Sequence, residues 1–88
     1  MTKVNLINLR EEARHFAHDV VLPLVDNADE PWEFVSELIA QAIRGHLPEW
    51  FTNEIELGIE SGTLELDEDI SLLDYFQAVV IELPTWLL

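Results

Sequence analysis

Apolar residues recur along the chain at helical spacing in four stretches, each bounded by proline or glycine. From about Asn8 to Leu24, the residues Leu9, Ala13, Phe16, Ala17, Val20 and Leu24 fall on one face of a helix. Asn8 and Glu11 form a capping pair at its start, and Pro23 predicts its end or a kink. A second helix is predicted over 31–44. "DEPWEF" sets acids before a proline at the first helical position, and Gly45 supplies the stop. Trp32, Val35, Leu38, Ile39, Ala42 and Ile43 form its apolar line, with Phe34 outside it. A third helix is expected over 48–60, closed by Gly62. Trp50, Phe51, Ile55, Leu57 and Ile59 spread over a broad apolar arc, opposite Glu49, Thr52, Asn53, Glu56 and Glu60.

The fourth stretch opens at Ser71, where "SLLD" pairs a cap with Asp74. Leu72, Leu73, Phe76, Val79, Val80 and Leu83 share a face, Ile81 falls outside it, and Pro84 stops the helix. A competing reading makes strands of "TLEL" and "AVVIEL", one alternating and the other β-branched, but the helical spacing from Leu72 to Leu83 favours helix for the second. The expected fold is all-α: one domain over 1–88, a small bundle of four short amphipathic helices, with minor β structure at 63–66.

Composition sharpens this picture. Hydrophobic residues make up 49%, which argues for a packed domain rather than a disordered acidic tail. The 88 residues bury only roughly 60–65% of the unfolded surface, and no cysteine adds a disulfide. The first sixteen residues hold no apolar run of signal-peptide length, and no window approaches the roughly 20 apolar residues of a membrane span. A cytoplasmic protein is expected.

Charge separates this chain from an ordinary bundle. The net charge is −14, and all four basic residues, Lys3, Arg10, Arg14 and Arg44, lie in the first half. Residues 45–88 carry ten acids, one histidine and no lysine or arginine. Their repulsion has to be absorbed by solvent, counterions or a partner.

Enzyme chemistry finds little footing. Glu12 and His15 form one Glu-x-x-His, whereas di-iron bundles need that pattern twice plus two inward glutamates. Glu12, His15 and Asp19 could meet on one helix face, but opposite Leu9, Phe16 and Val20, toward water. Ser71 reads as a cap, Ser36 lies within a helix and Ser61 sits at a turn, so no activated nucleophile stands out. Three glycines form no phosphate-cradling loop. Four cations are too few to drive direct nucleic-acid binding. No catalytic residue, cofactor or metal is expected.

The acids themselves are the candidate site. Glu49, Glu56 and Glu60 form a stripe with axial steps of about 10 and 6 Å, and Glu65, Asp67, Glu68 and Asp69 extend it, followed by Asp74 and Glu82. Duplex DNA presents a phosphate every roughly 3.4 Å per strand, so carboxylates on a rigid scaffold can reproduce the field that a basic groove expects. The leading expectation is a non-enzymatic inhibitor that occupies the nucleic-acid channel of a nuclease, a restriction complex, a CRISPR effector or a DNA-binding regulator. DNA-mimicking anti-defence proteins are similar in size and acidity; the likeness is one of composition, carried by no sequence motif. An immunity protein or antitoxin facing a basic toxin would use the same charge. The alternative is an adaptor or homodimer built on an apolar surface of Phe34, Ile81, Trp86, Leu87 and Leu88.

Overall fold

A computed structural model describes residues 2–83 as four helical rods with a two-stranded parallel sheet. Strand β1 is Thr2–Val4 and β2 is Leu64–Leu66, in the register Thr2↔Leu64, Lys3↔Glu65 and Val4↔Leu66. The first rod comprises α1 (Leu9–Phe16), a π-helical turn (Ala17–Val21) and α2 (Leu22–Asn27). Helices α3 (Pro31–Arg44), α4 (Glu49–Glu60) and α5 (Leu72–Glu82) follow. The minor strand lies where "TLEL" placed it. Its partner β1 was not anticipated, because a three-residue strand carries too short a pattern to register as one. Pro84, Trp86, Leu87 and Leu88 lie outside the described residues.

The π turn explains how the first rod survives Pro23. A proline has no N–H to return to the residue one turn back. The ladder widens instead, with the Leu22 N–H bonding to the Ala17 carbonyl, and Pro23 then sits in the first turn of α2. Wider winding lags the α-helical phase. It therefore carries Val21 and Val25 onto the buried line of Ala13 and Ala17, and turns Leu24 outward. Of the end or kink expected at Pro23, the end does not occur: the helix changes its winding there, and the rod runs on to Asn27.

Other boundaries follow local chemistry. The α3 end is a Schellman turn: Gly45, at φ 73°, sends its N–H to Ala42 O, and His46 sends its own to Gln41 O. Gly62, at φ 77°, closes α4 the same way through Ile59 and Gly58. Ser71 and Asp74 complete a reciprocal capping box on α5, at 3.0 and 3.3 Å. The cap expected at Asn8 with Glu11 is absent. Asn5 Oδ1 accepts from the N–H groups of Ile7 and Asn8, and Asn8 Oδ1 accepts from Asn5, because the chain must fold tightly off β1 into α1.

Helix α5 is central, packing against α1 on one side and α3 on the other. The small residues Ala13, Ala17 and Ala42 keep buried positions on the rods around it. Phe51 of α4 fills the middle, with Phe76 at 5.0 Å, Phe16 at 5.4 Å and Tyr75 at 5.9 Å between ring centroids, all edge-to-face. Such pairs each add roughly 0.5–1.5 kcal/mol beyond the area they bury. Phe34, expected outside its helix's apolar line, turns inward and stacks on Trp50 at 6.5 Å. Trp32 and Ile43, expected inside, are exposed, as are Leu57 and Ile59 of α4. Each helix meets neighbours across an arc narrower than its apolar stripe, so residues at the stripe edges stay in solvent.

One charged residue enters the interior. Glu82, the last residue of α5, is 5% exposed, and its two carboxylate oxygens take Arg10 Nε at 3.1 Å and Arg14 Nε at 3.4 Å. No basic residue lies in the last turn of α5, so α1 supplies the cations that this carboxylate and the helix C-terminus both need. Glu82 is thereby removed from the expected partner-binding surface and becomes a structural clasp. Replacing both arginines by alanine should cost about 1–3 kcal/mol in urea denaturation, well above the sum of the single changes, since either arginine alone still covers the buried charge. Additive losses of a few tenths would contradict the clasp.

Candidate functional site

Helix α4 offers one side to the core through Phe51 and Ile55 and the opposite side to solvent. Glu49, Glu56 and Glu60 share that outer side, all exposed, as the helical period dictates. The Schellman turn at Gly62 then reverses the chain into β2. Gly58 allows β2 to lie close: a Cβ there would stand 3.0 Å from Leu64 Cβ. Leu64 and Leu66 turn inward, which leaves Glu65 on the outer face.

The acidic turn after β2 is anchored at both ends. Asp67 N–H extends the sheet by donating to Val4 O at 2.9 Å, and Ile70 N–H donates to Asp67 O at 3.0 Å while its side chain is buried. Between them Asp67 Oδ1 accepts from Glu68 N–H at 2.7 Å. Glu68 and Asp69 are exposed, and Asp67 is half-buried. The capping box holds Asp74 directly beyond. These carboxylates therefore stand on a fixed scaffold.

Local counter-charge is sparse. Lys3 lies opposite Glu65 in the sheet register, yet among the described residues no ion pair closes between them. Glu11 meets His15 at 4.0 Å and Asp19 meets His18 at 3.2 Å, both on the first rod. The clasp assigns two of the four Lys and Arg side chains to a single acid of the eighteen. The remaining seventeen acids face Lys3, Arg44 and the histidines.

A second feature escaped the sequence reading. The first rod, α4 and α5 enclose an open cleft of about 580 Å³. Glu12, His15 and Asp19 line its rim, with His15 and Asp19 exposed to water as the helical period implies, and Glu54 joins them from α4. Phe16 and Tyr75, ring centroids 5.6 Å apart, form its apolar wall. Among the described residues no three His, Asp or Glu side chains gather closely enough to hold a metal. Burial first, and then the nearby Glu12 carboxylate, push the Tyr75 phenol well above its ordinary value. Glu12, Glu54 and Tyr75 are too far apart in sequence for any local pattern to join them.

The proposed apolar contact divides. Ile81 is 72% exposed and Ile43 is 80% exposed, flanking a shallow groove between α3 and α5 with Ile39 and Val80. Phe34 belongs to the core edge instead. Among the described residues no helix is long and apolar enough to cross a membrane.

Two measurements check this distribution of charge. With −14 on so small a fold, raising salt from low to moderate should raise the melting temperature, by about 4–8 °C if screening restores roughly 1 kcal/mol; a flat response would mean the acids are already compensated. Tyr75 is the single tyrosine, so phenolate absorbance reports it alone. Its raised folded value means a stabilising contribution that is complete below about pH 10 and lost as the pH climbs from there. Phenolate should appear together with loss of helical circular dichroism, and titration near pH 10 with the fold intact would contradict the buried placement.

Family models, curated proteins and solved structures offer no match to this chain, so a functional reading rests on its own geometry.

Proposed function

We propose that this protein is a non-enzymatic binder of a basic, nucleic-acid-binding protein, and that it inhibits its partner by presenting carboxylates where that partner expects phosphates. One observation carries the reading: α4, β2 and the turn to Ile70 hold Glu49, Glu56, Glu60, Glu65, Glu68 and Asp69 exposed on a pinned backbone, while Arg10 and Arg14 are committed to Glu82. A fixed array of like charge keeps its entropy cost of binding low and repels DNA itself. Restriction complexes, CRISPR effectors and other enzymes with cationic nucleic-acid channels are the partner class that this surface suits.

The exposed Ile43 and Ile81 favour a second reading, in which the α3–α5 groove carries an apolar contact with an adaptor partner or a second copy of the chain. Salt separates the two. Capture of the partner from host lysate at two salt concentrations, with DNA or heparin as competitor, should yield basic proteins that are lost as salt rises and displaced by DNA. Glu56→Lys, Glu60→Lys and Glu65→Lys should each weaken capture by roughly 2- to 5-fold or more, about 0.5–1 kcal/mol per site. Capture of non-basic proteins, indifference to DNA, or loss only with Ile81→Glu would overturn the mimicry reading.

A further inference from the structure

Ile81 stands on the outer face of α5 between two shallow grooves. One, of about 340 Å³, lies toward α1 and is lined by Leu9 and Ala78. The other, of about 270 Å³, lies toward α3 and is lined by Ile39, Ile43 and Val80. Gln77, also on its wall, donates from Nε2 to Ala42 O at 3.0 Å and so ties α5 to α3. Ile81 and Ile43 protrude, 72% and 80% exposed. Among the described residues the only charged ones that line either groove are Arg10 and Glu82, and they are paired with each other. The surroundings are uncharged as well. Helical period sets Trp32, Ser36, Ile39 and Ile43 on one flank of α3 and Glu33 and Glu37 on another. From Gln77 through Ala78 to Ile81 the outer line of α5 carries no charge, and Asp74 bounds it. Exposed apolar residues of α4 keep acidic company instead: Leu57 and Ile59 lie between Glu56 and Glu60.

We propose that a second copy of this chain docks on this face, in a twofold dimer in which Ile81 of each copy enters a groove of the other. Two observations select that occupant. The first is charge. Two chains of net charge −14 repel wherever their carboxylates meet, and can close only over an uncharged strip such as this one. A basic protein finds little here to attract it, since the one carboxylate of the grooves already holds two arginines. The second is shape. A twofold interface has to be complementary to itself, and this face carries both the protruding side chains and, beside them, the hollows that receive them. Extent sets the strength. Helix α3 is about 21 Å long and packed helices lie roughly 8–10 Å apart, so the face measures roughly 20 by 20 Å. That falls below the area of about 800 Å² per partner in a standard interface. It suits a reversible dimer with a dissociation constant on the order of 10–100 μM rather than a permanent one. The dimer goes beyond the proposed function and does not depend on it, because α4 and β2 take no part and their carboxylates stay uncovered.

The test is sedimentation equilibrium of the full chain across concentration, at low and at moderate salt. It should report a monomer–dimer equilibrium that shifts several-fold toward dimer as salt rises, because screening relieves the repulsion between copies. Capture of a basic partner runs in the opposite direction with salt. Ile81→Glu and Ile43→Glu should each weaken the dimer about tenfold or more, with melting temperatures close to that of the natural chain because both sites are exposed. Leu57→Glu, an exposed apolar site outside the face, should leave the dimer intact. A chain that stays monomeric to millimolar concentration at both salts would overturn the proposal, as would a dimer indifferent to Ile43→Glu and Ile81→Glu. A monomer whose melting temperature drops sharply on Ile81→Glu would overturn it too, and would assign the face to residues 84–88 of the same chain. Failures of the two proposals are distinguishable. A monomeric chain that captures basic proteins removes the dimer and leaves the inhibitor; a dimer that captures none does the reverse.

Discussion

The contact on which the charge balance of this fold turns is the one between Glu82 and the arginines of α1. A carboxylate almost out of water at the end of α5 would be untenable alone, and Arg10 and Arg14 each take one of its oxygens. The same contact ties the last described helix to the first and offsets the negative end of its dipole. It also commits two of the chain's four Lys and Arg side chains to a single acid, although both arginines remain solvent-exposed. The other seventeen acids are left with Lys3, Arg44 and the histidines as counter-charges.

That exterior is built on firm backbone. The α4 stripe belongs to a helix anchored by Phe51 at the centre of the aromatic cluster, and the turn beyond β2 is held by Val4 on one side and Ile70 on the other. Gly58 and Gly62 make this arrangement possible, one by admitting β2 against the helix and the other by reversing the chain in a left-handed conformation. Repulsion among carboxylates would spread a flexible segment. Here it is opposed by covalent geometry and packing, so the charge remains concentrated until a cation arrives.

Helix number, the stops at Gly45 and Gly62 and the Ser71 capping box were legible because each depends on residues within a few positions of one another. What the sequence hid depends on distance or on phase. The π turn shifts the buried face by changing the winding, so that Val25 replaces Leu24, and apolar spacing read at a constant period cannot show this. Phe34 and Trp32 exchange roles because a neighbouring helix, α4, offers Trp50 to one of them. Glu82 looks like its acidic neighbours in sequence and differs only through arginines 68 and 72 positions away. The acidic stripe was legible from helical period alone, whereas the cleft that joins Glu12, Glu54 and Tyr75 exists only once three rods are packed.

The central claim is that cations of another protein complete this surface. The most direct measurement is the ionic-strength dependence of affinity for a captured partner, compared between the natural chain and Glu56→Gln/Glu60→Gln/Glu65→Gln/Glu68→Gln. Affinity of the natural chain should fall steeply with salt, and the neutralised variant should bind more weakly with a much shallower slope. Equal slopes for the two proteins would show that the partner does not meet these carboxylates.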